Sequence, residues 1–192
     1  MKFMTMLAVL VISVTAYAAG SQAQDLKNGN VHATAATPLS ATGVDRIIKE
    51  VHHELVMLPL YGVFDNLLYT VSPDGTVTLL GEVSRPTLKS DAENVVRRIE
   101  GVEHVENQIK VLPPSPNDDR VRRATYRKIF GNNALSQYQV RAVPPIHIIV
   151  NNGHVTLEGT VAREMEKQIA GMQAGSVHGV FSVTNNLRVE ND

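Results

Sequence analysis

Two ten-residue stretches of the chain, DGTVTLLGEV at 74–83 and NGHVTLEGTV at 152–161, are nearly the same sequence. Gly153 of the second stretch follows Gly75 of the first by 153 − 75 = 78 residues. The same offset, without a gap, also relates Ile109-Lys110-Val111 to Leu187-Arg188-Val189. A recurrence at a fixed offset is typical of a duplicated folding unit, so we expect one small unit to occur twice.

The first copy, residues 43–112, has the pattern of a helix, two strands, a second helix and a third strand. Apolar residues recur at three- and four-residue spacing over 44–58 and 88–99, which predicts two amphipathic helices. Asp74-Gly75 separates two β-rich runs and predicts a hairpin. The second copy, 118–190, repeats this order. We therefore expect an α+β fold of two α-β-β-α-β units, each a three-stranded mixed sheet covered on one face by two helices.

The residues outside the two copies predict an exported chain. Residues 1–23 contain one lysine, an apolar run over 3–14 and then small residues, which is the pattern of a cleaved signal peptide. The run is shorter than the roughly 20 residues that cross a bilayer. Residues 24–42 are small and polar and are interpreted as a flexible leader. Three prolines within 113–117 indicate a stiff linker between the units.

The repeated glycines are interpreted as structural. A phosphate-binding loop needs several glycines at the start of a helix, whereas these lie in or between strands or after a helix. The first and fourth are placed in hairpin turns, the second and fifth at a bulge or a close approach of a helix to the sheet, and the third and sixth after a helix. They are Gly75, Gly81, Gly101, Gly153, Gly159 and Gly179.

The titratable residues do not form a catalytic pattern. His52-His53-Glu54 are neighbours on a predicted helix, where successive side chains diverge by about 100° and do not converge on one ion. His147 and His154 lie on facing predicted strands without a third ligand at a suitable spacing. The chain has no cysteine, which excludes disulfides, a cysteine nucleophile and a lipid-attached cysteine. We expect no enzyme activity, no metal site and no cofactor.

The two copies carry opposite charge. Residues 43–112 contain 7 Lys/Arg and 11 Asp/Glu, a net charge of 7 − 11 = −4, whereas residues 118–190 contain 9 and 6, a net charge of 9 − 6 = +3. Such asymmetry bears on partners rather than on the fold. Nucleic acid is a poor candidate, because the chain is predicted to be exported and its overall net charge is −1.

Much of the positive charge lies in DDRVRRATYRKIFG, which predicts a helix with a basic stripe opposite its apolar side. Arginines beside aromatic rings suit anionic lipid headgroups. An alternative remains open, in which the two aromatic side chains complete the core and the arginines are only solvated. The candidate lipid-binding residues are Arg120, Arg123, Tyr126, Arg127 and Phe130.

The element order, the VTLxG hairpin, the GV before the last strand and the final N-x-[IL]-[KR]-V together resemble the BON domain (bacterial OsmY and nodulation) in both copies. The resemblance implies a periplasmic, non-catalytic protein of envelope or osmotic stress that binds phospholipid membranes. Some similar proteins carry a lipoprotein cysteine, which this chain lacks.

The sequence is compatible with two functions. In the first, the exported protein binds anionic phospholipid membranes peripherally through its second unit and protects the envelope. In the second, it is a chaperone-like module that binds envelope proteins through exposed sheet edges.

Overall fold

The structure, a computed structural model, describes residues 39–141 and 143–190. The predicted signal peptide and most of the predicted leader lie outside these residues. The first unit consists of α1 (Ala41–Val56), β1 (Asn66–Val71), β2 (Thr76–Val83), α2 (Pro86–Val96), β3 (His104–Asn107) and β4 (Lys110–Val111). The second consists of α3 (Pro116–Phe130), a 3-10 helix (Ser136–Val140), β5 (Ile146–Asn151), β6 (His154–Val161), α4 (Glu164–Gly175), β7 (Ser182–Asn185) and β8 (Arg188–Val189). The predicted α+β fold class is confirmed.

Both units have the same mixed sheet. The central strand, β2 or β6, pairs antiparallel with the strand before it in sequence, β1 or β5. On its other side it pairs in parallel with β3 and β4, or with β7 and β8. The third strand is therefore one strand in two pieces, and each unit needs a helical crossover to place it parallel to its neighbour.

A repeated asparagine accounts for the break in each third strand. Asn107 Nδ2 donates to the carbonyl of Lys89 at 2.9 Å, and Asn185 Nδ2 donates to the carbonyl of Lys167 at 2.7 Å. The Oδ1 atom of each asparagine accepts from the backbone N–H two residues later. One side chain thus satisfies the interrupted strand and ties it to the helix, which explains why the asparagine occurs in both copies.

Each unit has its own hydrophobic core, packed between the sheet and its two helices. Most residues of the predicted helical periodicity are buried, but Ile48 on α1 is 39 % exposed, and Val44 and Val95 are only half-buried. The largest fully buried side chains of the first core are Ile47, Leu79, Leu88 and Ile109, and those of the second are Ile129, Leu135, Ile146, Ile148, Leu157 and Leu187. Two separate cores are what a duplicated unit requires.

One backbone N–H after the central strand is satisfied differently in the two units. The positions correspond at the repeat offset, since 84 + 78 = 162. Ser84 N donates to the buried carboxylate of Asp65 at 2.7 Å, whereas Ala162 N donates to the hydroxyl oxygen of Tyr138 at 2.8 Å. Burial raises the pKa of the Tyr138 hydroxyl, which therefore stays protonated. This hydroxyl donates a hydrogen bond to Glu166 Oε2 at 2.7 Å.

The helix boundaries differ from the sequence prediction at two places. The helix α1 begins at Ala41, inside the predicted leader, because the Ser40 hydroxyl caps it by accepting from Gly43 N at 3.2 Å. The helix α3 begins at Pro116, inside the predicted linker. The Ser115 hydroxyl caps α3, and proline is favourable in a first helical turn because its missing N–H is not needed there.

All six repeated glycines have φ between +77° and +117°, a region that glycine adopts more easily than other residues. For Gly81 and Gly159, the alternative of a close helix approach is wrong, since an added Cβ meets a carbonyl oxygen of the neighbouring strand region. Gly101 and Gly179 follow a helix, but at a distance of several residues, since α2 and α4 end at Val96 and Gly175. Gly101 is therefore not the residue at which α2 ends.

Candidate functional site

The helix α3 forms the candidate surface, and its sequence explains its ends. Asp118 and Asp119 lie in the first turn, and Arg127 and Lys128 lie in the last. Carboxylates near a helix N-terminus and cations near its C-terminus both interact favourably with the helix dipole. The charged side chains at both ends therefore stabilise α3, and two cations lie at its C-terminal end.

One side of α3 is buried, as the sequence predicts. Val121, Thr125 and Ile129 are at most 1 % exposed and face the core. Arg120, Arg123 and Arg127, in contrast, are exposed to solvent. Ala124, the fourth residue on this side of the helix, is half-buried.

The two aromatic residues of α3 do not share one environment. Phe130 is 2 % exposed and belongs to the core, so the prediction that it contributes to a lipid-binding surface is wrong. It belongs to the same buried cluster as Leu135 and Tyr138, which follow α3 in the sequence. Tyr126 is half-buried, with its ring centroid 4.8 Å from that of Phe130 and 6.2 Å from that of Phe64.

A shallow groove of about 400 Å³ lies beside this tyrosine. Apolar side chains form most of its lining, and two guanidinium groups stand at it. Its lining residues are Val63, Phe64, Arg123, Tyr126 and Arg127. Guanidinium groups bind phosphate oxygens through paired hydrogen bonds, and a tyrosine suits the boundary between water and an apolar phase. The groove can accommodate a group that is anionic at one end and apolar at the other.

Two charged residues of α3 that the sequence analysis did not single out belong to the fold. Asp118 is 1 % exposed, and its carboxylate accepts from the backbone N–H groups of Asn152 and Gly153 in the hairpin turn. Arg122 is 5 % exposed and donates to the carbonyl of Val150 at 2.7 Å and to Asp119 Oδ1 at 2.6 Å. Arg122 is therefore not available to a ligand, although it adjoins Arg123 in sequence.

The segment between α1 and β1 packs on the second unit. Val63 and Phe64 lie against the second core, and the Val63 carbonyl accepts from Ile148 N at 2.7 Å. The ring of Tyr61 stacks on that of His147, with centroids 5.5 Å apart and planes at 21°. The edge of β5 is thus covered by a segment of the first unit, and the groove beside Tyr126 draws residues from both units.

The histidines do not come together as a metal site. His147 faces Glu158 across the hairpin, whereas His154 faces Asn151 near the turn. His52 and His53 are exposed neighbours on α1. Over residues 39–141 and 143–190, no group of three or more His, Cys, Asp or Glu side chains is placed to hold a metal ion.

His147, which stacks on Tyr61 of the first unit, is a buried titratable residue. Burial lowers the pKa of this imidazole below its ordinary value, against smaller opposing effects of the backbone at Gly62 and Asp65 and of the Asp65 and Glu158 carboxylates. The folded state therefore favours the neutral ring, and the unfolded chain takes up a proton first as pH falls. We expect the free energy of unfolding contributed by His147 to be present above pH 6.5 and to be lost as pH falls below it.

The variant His147→Phe keeps a ring against Tyr61 but does not titrate, so it should lose less stability than the parent between pH 7.5 and pH 5.5. Urea denaturation at the two pH values measures both losses. Equal losses in parent and variant would assign the pH dependence to other groups.

The helices in the described part of the chain are all too short or too polar to cross a membrane. The family model described as "BON domain" matches residues 66–113 and 118–191. These two segments contain the three strands and the second helix of the first unit and almost the whole second unit, and together they cover more than half of the chain.

No curated protein matches the chain. Among solved structures, it is similar to CdsD, described as a structural protein of the type III secretion system of Chlamydia trachomatis, with 12% identity and a TM-score of 0.29 over 76% of this chain and 94% of that one. A second structure, of the CdsD C-terminal domain, gives 13% identity and a TM-score of 0.29 over 74% and 96%.

Proposed function

This chain belongs to the BON domain family, a family of non-catalytic binding domains, and from that premise we propose that it binds the surface of anionic phospholipid membranes peripherally, through its second unit, and is not an enzyme. The observation that carries the proposal is the exposure of three arginines along one face of α3 in a unit whose net charge is +3.

The proposed binding surface consists of Arg120, Arg123 and Arg127, with Tyr126 beside them. An exposed arginine near an anionic membrane contributes about 1 kcal/mol of binding free energy. Tyr126 is half-buried, and its hydroxyl accepts from Gln139 Nε2 at 3.1 Å at an exposed position. A tyrosine in such a place suits the boundary between the headgroups and an apolar phase. Phe130 is left out of this surface because it is buried.

The proposed location is the periplasm, and the proposed role is protection of the envelope under osmotic or other envelope stress. The location rests on the signal-peptide pattern of residues 1–23, and the role rests on the family. A protein that adheres to the membrane electrostatically would respond to the ionic strength around it, since exposed charges are screened over about 8 Å at physiological salt.

Co-sedimentation with lipid vesicles tests the proposal. We expect the chain from residue 24 onward to sediment with vesicles that contain phosphatidylglycerol and not with vesicles of phosphatidylcholine alone. Raising the salt to 0.5 M should release most of the bound protein, because the attraction is between exposed charges. Equal sedimentation with both kinds of vesicle, or none with either at low salt, would contradict lipid binding by charge. Lipid-independent, salt-insensitive binding of extended peptides would instead favour the protein-binding alternative.

A further inference from the structure

Each unit has a groove between its two helices, and corresponding residues line the two grooves. The first helices correspond at an offset of 121 − 47 = 74, since Ile47 and Val121 each lie closest to the left-handed glycine before the third strand, Gly101 or Gly179. The second helices correspond at the offset of 78. The groove of the first unit is lined by Glu50, Glu54, Val95, Arg98, Ile99 and Glu100, and that of the second by Ala124, Arg127, Lys128, Ser176, Val177 and His178.

The charge of the groove is reversed between the units. At these offsets Glu54 corresponds to Lys128 and Glu100 to His178, while Glu50 corresponds to an alanine. The first groove therefore has three carboxylates and one arginine. The second has no carboxylate and two permanent cations, Arg127 and Lys128. The same backbone shape thus presents a negative groove in one unit and a positive groove in the other.

Exposed methionines accompany the positive groove. Met165 and Met172 on α4 are 57 % and 65 % exposed, whereas the corresponding residues of α2 are Thr87 and Asn94. Met172 precedes Ser176 by four residues, so it lies about one helical turn from the side of the groove that Ser176 lines. Two large apolar side chains therefore project from α4, and the turn that follows this helix lines the cationic groove through Ser176, Val177 and His178. Met172 is the nearer of the two to this turn, and Met165 lies about two helical turns further along α4.

We propose that α4 is the part of the second unit that enters the membrane, with Met165 and Met172 at the boundary between headgroups and acyl chains while Arg127 and Lys128 contact lipid phosphates. This inference rests on the proposed function and adds a penetrating element to it. The basic side chains come from α3 and the apolar ones from α4, whose own charged residues are Glu164, Glu166 and Lys167. The two helices together therefore combine apolar and basic side chains, as elements that lie in the interface plane of an anionic bilayer do. Methionine is unbranched and flexible, so it adapts to an irregular apolar surface.

A bilayer accounts for these residues better than a free anion does. A soluble phosphate would use the cations of the groove and leave both methionines in water. The first unit is an internal comparison, because the same positions there are polar and its groove is acidic, which disfavours phosphate. The first unit also exposes apolar side chains at α1, namely Ile48 at 39 % and Met57 at 65 %, but its groove is acidic.

Depth measurement with spin labels tests the inference directly. The chain contains no cysteine, so M172C and N94C each give a single labelling position at corresponding places in the two units. On addition of phosphatidylglycerol vesicles, we expect a nitroxide at position 172 to become accessible to oxygen dissolved in the bilayer and protected from a water-soluble nickel complex. A nitroxide at position 94 should remain accessible to the nickel complex. If vesicles bind the protein while both labels stay in water, α4 does not enter the membrane.

A substitution test avoids the label. M165T/M172N installs the residues of the first unit and should weaken vesicle binding about tenfold, chiefly in the part that persists at high salt, because partial burial of two methionines is lost. The matched variant T87M/N94M should leave binding unchanged. Parent-like binding by M165T/M172N would overturn this inference and leave the proposed function standing, whereas absent binding by the parent would overturn both. Inorganic phosphate that displaced the parent from vesicles at constant ionic strength would point to a soluble anion instead.

Discussion

Gly159→Ala should lower the free energy of unfolding by about 3 kcal/mol. A Cβ at this position would lie 1.9 Å from the carbonyl oxygen of Pro145, and the backbone φ is +117°. The same carbonyl accepts from Thr160 N at 3.0 Å, so it cannot move away without weakening the pairing at the start of β5. Urea denaturation followed by circular dichroism measures the loss, and Gly81→Ala should behave in the same way in the first unit.

Two other glycines provide graded controls. At Gly153 a Cβ would first meet the ring of Phe181, which is 75 % exposed and can turn aside, and would lie 3.0 Å from the carbonyl oxygen of Gly179. Gly153→Ala should therefore cost about 1–2 kcal/mol, less than Gly159→Ala. At Gly62 nothing lies within 4 Å of the added Cβ, and Gly62→Ala should be nearly neutral. The explanation fails if Gly159→Ala costs no more than Gly153→Ala.

R120Q/R123Q/R127Q should weaken binding to anionic vesicles a little over a hundredfold. Three arginines at about 1 kcal/mol each contribute roughly 3 kcal/mol, and glutamine keeps much of their length without the charge. The three side chains are exposed, and over residues 39–141 and 143–190 none of them forms an ion pair with a carboxylate. The fold should therefore be unchanged, which circular dichroism can verify.

A control in the first unit separates a located site from a general effect of charge. K49Q/R98Q/K110Q removes the same number of positive charges from exposed positions of the first unit. We expect it to bind within about threefold of the parent, since its charges do not lie on the proposed surface. If both triple variants lose affinity equally, net charge and not the face of α3 determines binding.

The fold could be predicted from the sequence because its main determinants are local. Helical periodicity and the Asp74-Gly75 hairpin each depend on neighbouring residues, and the gap-free offset of 78 residues shows the same pattern a second time. The helix starts were misplaced by two residues because Ser40 and Ser115 act as caps, and a cap depends on backbone geometry as well as on residue type.

The candidate surface could be predicted only in part. Arg122 and Arg123 are neighbouring arginines, but their side chains leave the helix in directions about 100° apart. Arg122 is buried and donates to the Val150 carbonyl, whereas Arg123 is exposed to solvent. The contact of Tyr126 with Phe64 joins residues from different units, which no periodicity within a helix reports. The methionines of α4 become noticeable only when they are compared with Thr87 and Asn94 at the corresponding positions.

The backbone N–H of Ser84 and its counterpart at Ala162 illustrate how duplicated units diverge. Both units need an acceptor for this backbone N–H, but the side chain that accepts differs. It is Asp65 in the first unit and Tyr138 in the second. The change accompanies the loop between the first helix and the first strand, which contains Tyr138 in the second unit. The first strands correspond at an offset of 146 − 67 = 79, so this loop is 79 − 74 = 5 residues longer in the second unit. The acceptor lies within this loop in both units. If the loop were exchanged between the units, the acceptor of the backbone N–H would therefore be exchanged with it.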